Sequence, residues 1–195
     1  PQLQARGADV RADALPPARG AQAVVSGSCS VATNAQVLHF KQSGRPSLAI
    51  DPLAIAAGED VAAQALAWAE PLLASGPVLF YATAEPSAVR AVQEKLGVAR
   101  AGEMVEHTLS RIAAGLVQRG VRQLLVAGGE TSGAVVQALG VQRMAIGPQI
   151  DPGVPWTSVD TPLCPGEQVH VALKSGNFGS TDFFTKAFAQ LSSMP

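Results

Sequence analysis

The sequence predicts an α/β fold: a mostly parallel sheet with helices on both faces, three layers in all. Short apolar runs, of the kind that fill a strand buried on both faces, alternate with stretches of helical spacing. Such alternation builds βαβ units, whose crossovers lay helices over the two faces of the sheet. A further observation concerns where the polar residues fall. Three strand ends are crowded with glycine and small polar groups: "SGSCS" at 26–30, "GGETSG" at 128–133 and "KSGNFG" at 174–179. In open parallel sheets, ligands bind beyond the carboxyl ends of the strands.

The elements follow in order. The first twenty residues, with "ALPPARG" at 14–20, read as a linker into a domain at 21–195. A first strand is expected at 23–26, then a Ser/Gly turn and a helix from Ser30 or Thr33 to Gln42. "RPSLAID" (45–51) reads as a second strand. Residues 59–74 space Val61, Leu66, Ala69 and Leu73 as a helix, which Pro71 should kink or end. "GPVLFYAT" (76–83) is a third strand, with a helix from Pro86 to Leu96 after it. Residues 102–119 set Met104, Leu109, Ile112, Leu116 and Val117 near one face of a long amphipathic helix. The run Leu124–Ala127 is the next strand, and Ala134–Leu139 its helix. "QRMAIG" (142–147) is another strand, followed by a Pro-rich crossing segment, "GPQIDPGVPWTSVD". A late strand, "HVALKSGNFG" (170–179), precedes a final helix at 182–191.

Composition narrows the function classes. At 195 residues the chain holds one sizeable core or two small domains at most. It is 47% hydrophobic and 15% charged, which fits a compact α/β domain and not a disordered chain. The net charge of −1, without a basic run, argues against a nucleic-acid or anionic-membrane surface. No apolar stretch approaches the roughly 18 residues of a transmembrane helix, and the start lacks a signal-like pattern. Cys29 and Cys164 form neither a disulfide framework nor a metal-ligand spacing, so a reducing cytoplasm is the expectation. The chain begins at Pro1 without a methionine, as a fragment or processed piece would.

Each polar turn carries two readings. At 128–133, Thr131 or Ser132 serves as a helix N-cap, or Gly128 and Gly129 let the backbone approach a phosphate that the following N–H groups bind. The turn is neither a Walker A loop nor GxGxxG, because no GK[ST] follows and the glycine spacing differs. Ser26 and Ser28 around Gly27 make a tight turn or offer hydroxyls to a phosphate or ribose. Gly176 and Asn177 form a simple turn or lie against a nucleotide. Lys174 interrupts an apolar strand, either snorkelling outward or serving as a point charge for phosphates. Glu130 favours the helix dipole, or reaches a Mg²⁺ through water or a ribose hydroxyl. His39, His107 and His170 are scattered and support neither a triad nor a zinc site. Trp68 and Trp156 read as packing residues, Trp156 alternatively bordering a pocket, and Cys29 as a buried small residue of the turn, or a reactive thiol if exposed.

Together, "LLVAGGETSGAVVQALGV" (124–141), "IGPQIDPGVPW" (146–156) and "LKSGNFGSTDFF" (173–184), with "SGSCS" upstream, resemble the C-terminal nucleotide-binding domain of the four-carbon acid sugar kinases, the 3-oxo-tetronate and D-threonate kinases among them. The resemblance runs from about residue 20 to the end. It implies ATP, with Mg²⁺, as cofactor and the 4-phosphorylation of a four-carbon sugar acid. Carried onto this chain, it implies that Ser26, Gly128, Gly129, Glu130, Thr131 and Gly176 contact the nucleotide. In the family an N-terminal domain with an acidic, TGA-containing motif binds the sugar acid, and no such motif occurs in these residues. The resemblance therefore implies a partner domain elsewhere in the full-length protein, which holds the acceptor and the catalytic base. This chain alone is expected to be inactive, and the surface that domain would cover is expected to favour self-association. The alternative is a stand-alone nucleotide-binding or regulatory module without transferase activity.

Overall fold

The structure, a computed structural model, describes residues 15–193. Most of the expected linker at 1–20 lies outside them.

Strand β1 (Ala21–Ser26) is buried from Ala23 to Ser26. It turns into helix α1 (Val31–Gln42), which Ser30 caps by accepting the Thr33 N–H. β2 (Ser47–Ala49) is only three residues long. Helix α2 (Pro52–Ala56) follows; the strand reading of 45–51 passed over it, although Asp51 and Pro52 are an N-cap and N1 pair. Helix α3 (Val61–Ala69) ends two residues before Pro71, where a proline ring would clash with the preceding turn. β3 (Val78–Tyr81) leads to α4 (Pro86–Leu96), whose bounds are those read from the sequence. Gly97 then redirects the chain into α5 (Val98–Gln118), whose Leu109, Ile112, Leu116 and Val117 are all buried.

β4 (Val121–Ala127) is longer at its start than its apolar run suggested. Helix α6 (Gly129–Ala138) begins five residues before the expected Ala134. Gly128 stands at its N-terminus without any side-chain cap, so neither Thr131 nor Ser132 is the N-cap. Gly128 has φ 127°, a conformation only glycine takes readily, and it turns strand into helix within one residue.

The Pro-rich segment is not an irregular crossing. It is an antiparallel hairpin of β5 (Met144–Asp151) and β6 (Val154–Val159), closed at Pro152-Gly153 with Gly153 at φ 81°. Its register shifts twice, between Ile146 and Gln149 and between Gln149 and Asp151. Irregular pairing of this kind is how strands accommodate Pro148 and Pro155. β7 (Val169–Lys174) and α7 (Phe183–Ser192) complete the chain.

The seven strands lie in the order β2-β3-β1-β4-β7-β6-β5. The first five run parallel, and β6 is antiparallel to both neighbours. One face packs α3, α5 and α6 against Val25, Phe80, Leu124 and Val171. The other packs α1 and α7 around Val24, Leu79, Leu125 and the fully buried Trp156. The three-layer expectation therefore holds. Trp156 is a packing residue, its indole Nε1–H donating to the Ala187 carbonyl at 3.1 Å. Trp68 meets Phe80 edge-on at 5.6 Å.

Candidate functional site

The sheet register brings the polar turns together. Tyr81, Ser26, Ala127 and Lys174 are paired neighbours on adjacent strands, so β3, β1, β4 and β7 all end at one level. After β1 the chain leaves for α1 on one face, and after β4 it leaves for α6 on the other. Neighbouring strands whose connections part to opposite faces open a crevice beyond their carboxyl ends.

A cavity of about 580 Å³ occupies that place, a size suited to a small organic ligand. Its polar end is formed by Gly27, Ser28, Thr83, Gly128, Gly129 and Glu130. The rest is an apolar slot between α4 and α5, walled by Ile50, Val89, Val92 and Val105.

Close packing dictates the glycines at the polar end. A Cβ on Gly27 would collide with the Thr131 hydroxyl, and one on Gly128 would come within 2.8 Å of it. Thr131 is buried against both glycines, which holds the β1–α1 turn against the start of α6. Gly129 differs: a Cβ there meets nothing within 4 Å, and the residue faces the cavity. The first helical hydrogen bond of α6 runs from the Ser132 N–H to the Gly128 carbonyl at 2.9 Å. The amides of Gly129, Glu130 and Thr131 therefore have no intrahelical acceptor, and the helix dipole adds positive potential beside them. An anion at that end meets donors already in position.

The six residues expected from the sequence divide into two groups. Gly128, Gly129, Glu130 and Thr131 line the cavity. Ser26 lies beneath its wall, fully buried, its Oγ 2.7 Å from the hydroxyl of Thr83, which does line it. Gly176 stands on the adjoining lip, its carbonyl accepting from Ser30 Oγ at 2.6 Å, Thr33 Oγ1 at 2.9 Å and Lys174 Nζ at 2.8 Å. Lys174 does not snorkel outward. It is 1% exposed, and burial pushes its pKa down to about 8.

Several residues were not foreseen. Thr83 was missed because the β3 end, "ATAEP", carries no glycine. Glu106 reaches the cavity from the middle of α5 and lies beside Glu130. Partial burial raises its pKa, and the hydrogen bond with Glu130 and the charges of Glu130 and Glu103 raise it further. No local pattern pairs two carboxylates 24 positions apart on separate helices. The apolar slot was equally hidden, because Val89, Val92 and Val105 read as ordinary helix faces. Among the described residues, no cluster of three or more His, Cys, Asp or Glu side chains has metal-site geometry. No helix among them is long and apolar enough to cross a membrane.

A family described as the nucleotide-binding C-terminal domain matches residues 23–184. The 3-oxo-tetronate kinase of Burkholderia multivorans is 58% identical over 181 residues, covering 92% of this chain and 41% of its own length. That of Pseudomonas fluorescens is 54% identical over 183 residues, covering 94% of this chain and 41% of the relative. A crystal structure of a Haemophilus influenzae protein superposes with a TM-score of 0.82 at 40% identity, over 91% of this chain and 42% of that one. The chain thus spans about two-fifths of the relatives it matches. It belongs to the nucleotide-binding C-terminal domain family.

Proposed function

We propose that the chain is the ATP-binding part of a kinase that phosphorylates a four-carbon sugar acid, of 3-oxo-tetronate or threonate type, to its 4-phosphate. The observation that carries this reading is the two-part cavity at the strand ends. Its apolar slot suits a planar base, and its polar end presents the free amides of α6 where phosphates would lie. The names and identity of the relatives support the sugar-acid kinase assignment.

The residues present fit a nucleotide. The open space at Gly129 leaves room for a phosphate against the backbone, and Gly128 and Thr131 fix that backbone in place. Ser26 contributes through Thr83, and Gly176 through the lip it shares with Ser30 and Thr33. Glu130, with Glu106 beside it, offers carboxylate oxygens to a ribose hydroxyl or to the water shell of Mg²⁺. Bound Mg²⁺-ATP supplies the phosphoryl group. This chain positions it and neutralises its charge, the larger part of catalysis in phosphoryl transfer. The acceptor sugar acid and its base belong to a partner domain of the full-length protein.

Titration of the chain with ADP and Mg²⁺ tests the reading. One saturable site is expected, with little sugar-acid kinase turnover by the chain alone. Absence of nucleotide binding by folded protein would contradict it.

A further inference from the structure

Lys174 is the least expected residue of the sheet's carboxyl edge. It ends β7, in register with Ala127 of β4, and only 1% of its surface is exposed. Its ammonium donates to Thr33 Oγ1 at 3.0 Å, the Gly176 carbonyl at 2.8 Å and the Ser175 carbonyl at 3.2 Å. All three acceptors are neutral, and among the described residues no carboxylate lies within salt-bridge distance of it. A buried ammonium without a counter-charge is costly, and proteins normally pair it.

The polar and charged groups of the neighbouring elements are engaged elsewhere or carry no charge. From α1 it meets Thr33, whose hydroxyl also bonds Ser28 Oγ at 3.1 Å in the β1–α1 turn. Cys29 of that turn directs its thiol towards the Gly27 and Ala82 carbonyls. The acid of α6, Glu130, pairs with Glu106. Asp182 and Lys186 of α7 are tied to Asp151 and Ser180. Burial is the sole cause of the Lys174 shift, and no neighbouring charge contributes.

Resting on the nucleotide reading above, we propose that Lys174 is a positioning residue of the phosphate site. Its ammonium joins the turn after β7 to the start of α1, and the polyanion bound at that wall is its missing counter-charge. Lys174 stays behind the wall and acts through the Gly176 carbonyl and the Thr33 and Ser28 hydroxyls. Burial by itself favours the neutral amine. A bound polyphosphate favours the ammonium, so nucleotide binding draws a proton onto Lys174.

With the free-site pKa at about 8 and the bound-site pKa higher, uptake is small at about pH 7, where Lys174 is already charged, and larger at about pH 9. The last ionisation of a terminal phosphate lies at about 6, so the ADP phosphates do not titrate at about pH 9, and Lys174→Met measures their share at about pH 7. Calorimetric titration of the chain with Mg²⁺-ADP, in buffers of different ionisation enthalpy, measures the uptake directly. Wild-type protein is expected to take up a substantial fraction of a proton at about pH 9 and little at about pH 7. Lys174→Met is expected to abolish the uptake and weaken binding about tenfold or more, as loss of a charge-assisted contact does. Equal affinity and equal uptake in Lys174→Met would overturn the proposal while leaving the nucleotide site standing. If that variant does not fold, ADP binding by wild type without uptake at about pH 9 overturns it just the same. No ADP binding by wild type at either pH would remove the nucleotide reading, and this inference with it.

Discussion

The two adjacent glycines of the α6 turn perform different tasks, and substitution separates them. Gly128 has φ 127° and lies against Thr131, so Gly128→Val places a side chain where the backbone and the Thr131 hydroxyl both oppose it. A destabilisation of about 1–3 kcal/mol is expected, read from urea denaturation. Gly129 is exposed, helical and free of neighbours at its Cβ position. Gly129→Leu should change stability by no more than about 0.5–1 kcal/mol, since helix propensity even favours it. The same leucine projects into the cavity and should abolish nucleotide binding. The Glu106–Glu130 pair predicts a pH effect of its own. A glutamate whose folded pKa is raised contributes stability below its unfolded pKa, and that contribution is lost as pH rises through the folded value. Glu106→Gln should therefore raise the melting temperature at neutral pH relative to wild type, by a difference that grows as pH rises above the usual glutamate range. Thermal scans from about pH 4 to 7 check this. A melting-temperature difference between Glu106→Gln and wild type that does not grow across that range would contradict it.

At the scale of elements, the turn after β7 is held by side chains instead of regular structure. Gln36 of α1 is fully buried, and its Nε2 donates to the carbonyls of Phe178, Gly179 and Ser180, each at 3.0 Å. Asp151 at the end of β5 grips the same turn through the Ser180 amide at 2.8 Å and Lys186 Nζ at 2.5 Å. Gln36→Leu should cost about 1–3 kcal/mol, by removing the buried donor that three carbonyls share, and should speed amide hydrogen exchange at 177–180 before other regions. Unchanged exchange there would show that Asp151 suffices. These clamps also explain what the sequence could reveal. The β1, β3, β4 and β7 runs are apolar and short, and α4 and α5 show clean helical spacing, so all were legible. Capping at α6 was misread because hydroxyls at 131 and 132 look like caps, whereas Gly128 makes the turn and Thr131 packs inward. The β5–β6 hairpin was hidden by three prolines, and its pairing depends on register shifts that no local pattern encodes. Four of the six expected contact residues line the cavity because they share one turn. Ser26 and Gly176 belong to its supporting layer, a distinction that only the packing of three separate turns decides.

For the whole molecule, the sheet places its chemistry along one edge. The carboxyl ends of β3, β1, β4 and β7 carry the cavity and its lip, while the opposite edge is tied to residues 16–20 through His170, whose Nε2 lies 2.9 Å from the Pro16 carbonyl, and through Gln123. A chain that spans about two-fifths of its relatives is expected to bind the phosphoryl donor without its acceptor. Saturating ADP should then stabilise the fold, by about 2.7 kcal/mol when the ligand stands at a hundred times its dissociation constant. Melting curves with and without Mg²⁺-ADP would show it, and an unchanged midpoint would contradict nucleotide binding to the folded state. The most direct measurement is a parallel calorimetric titration of wild type and Gly129→Leu with Mg²⁺-ADP, both first shown to be folded by their melting curves. Saturable one-site binding by wild type, lost in Gly129→Leu at nearly unchanged stability, is the expected result. Binding of equal strength in both proteins would place the nucleotide elsewhere, and no binding in either would remove it from this chain.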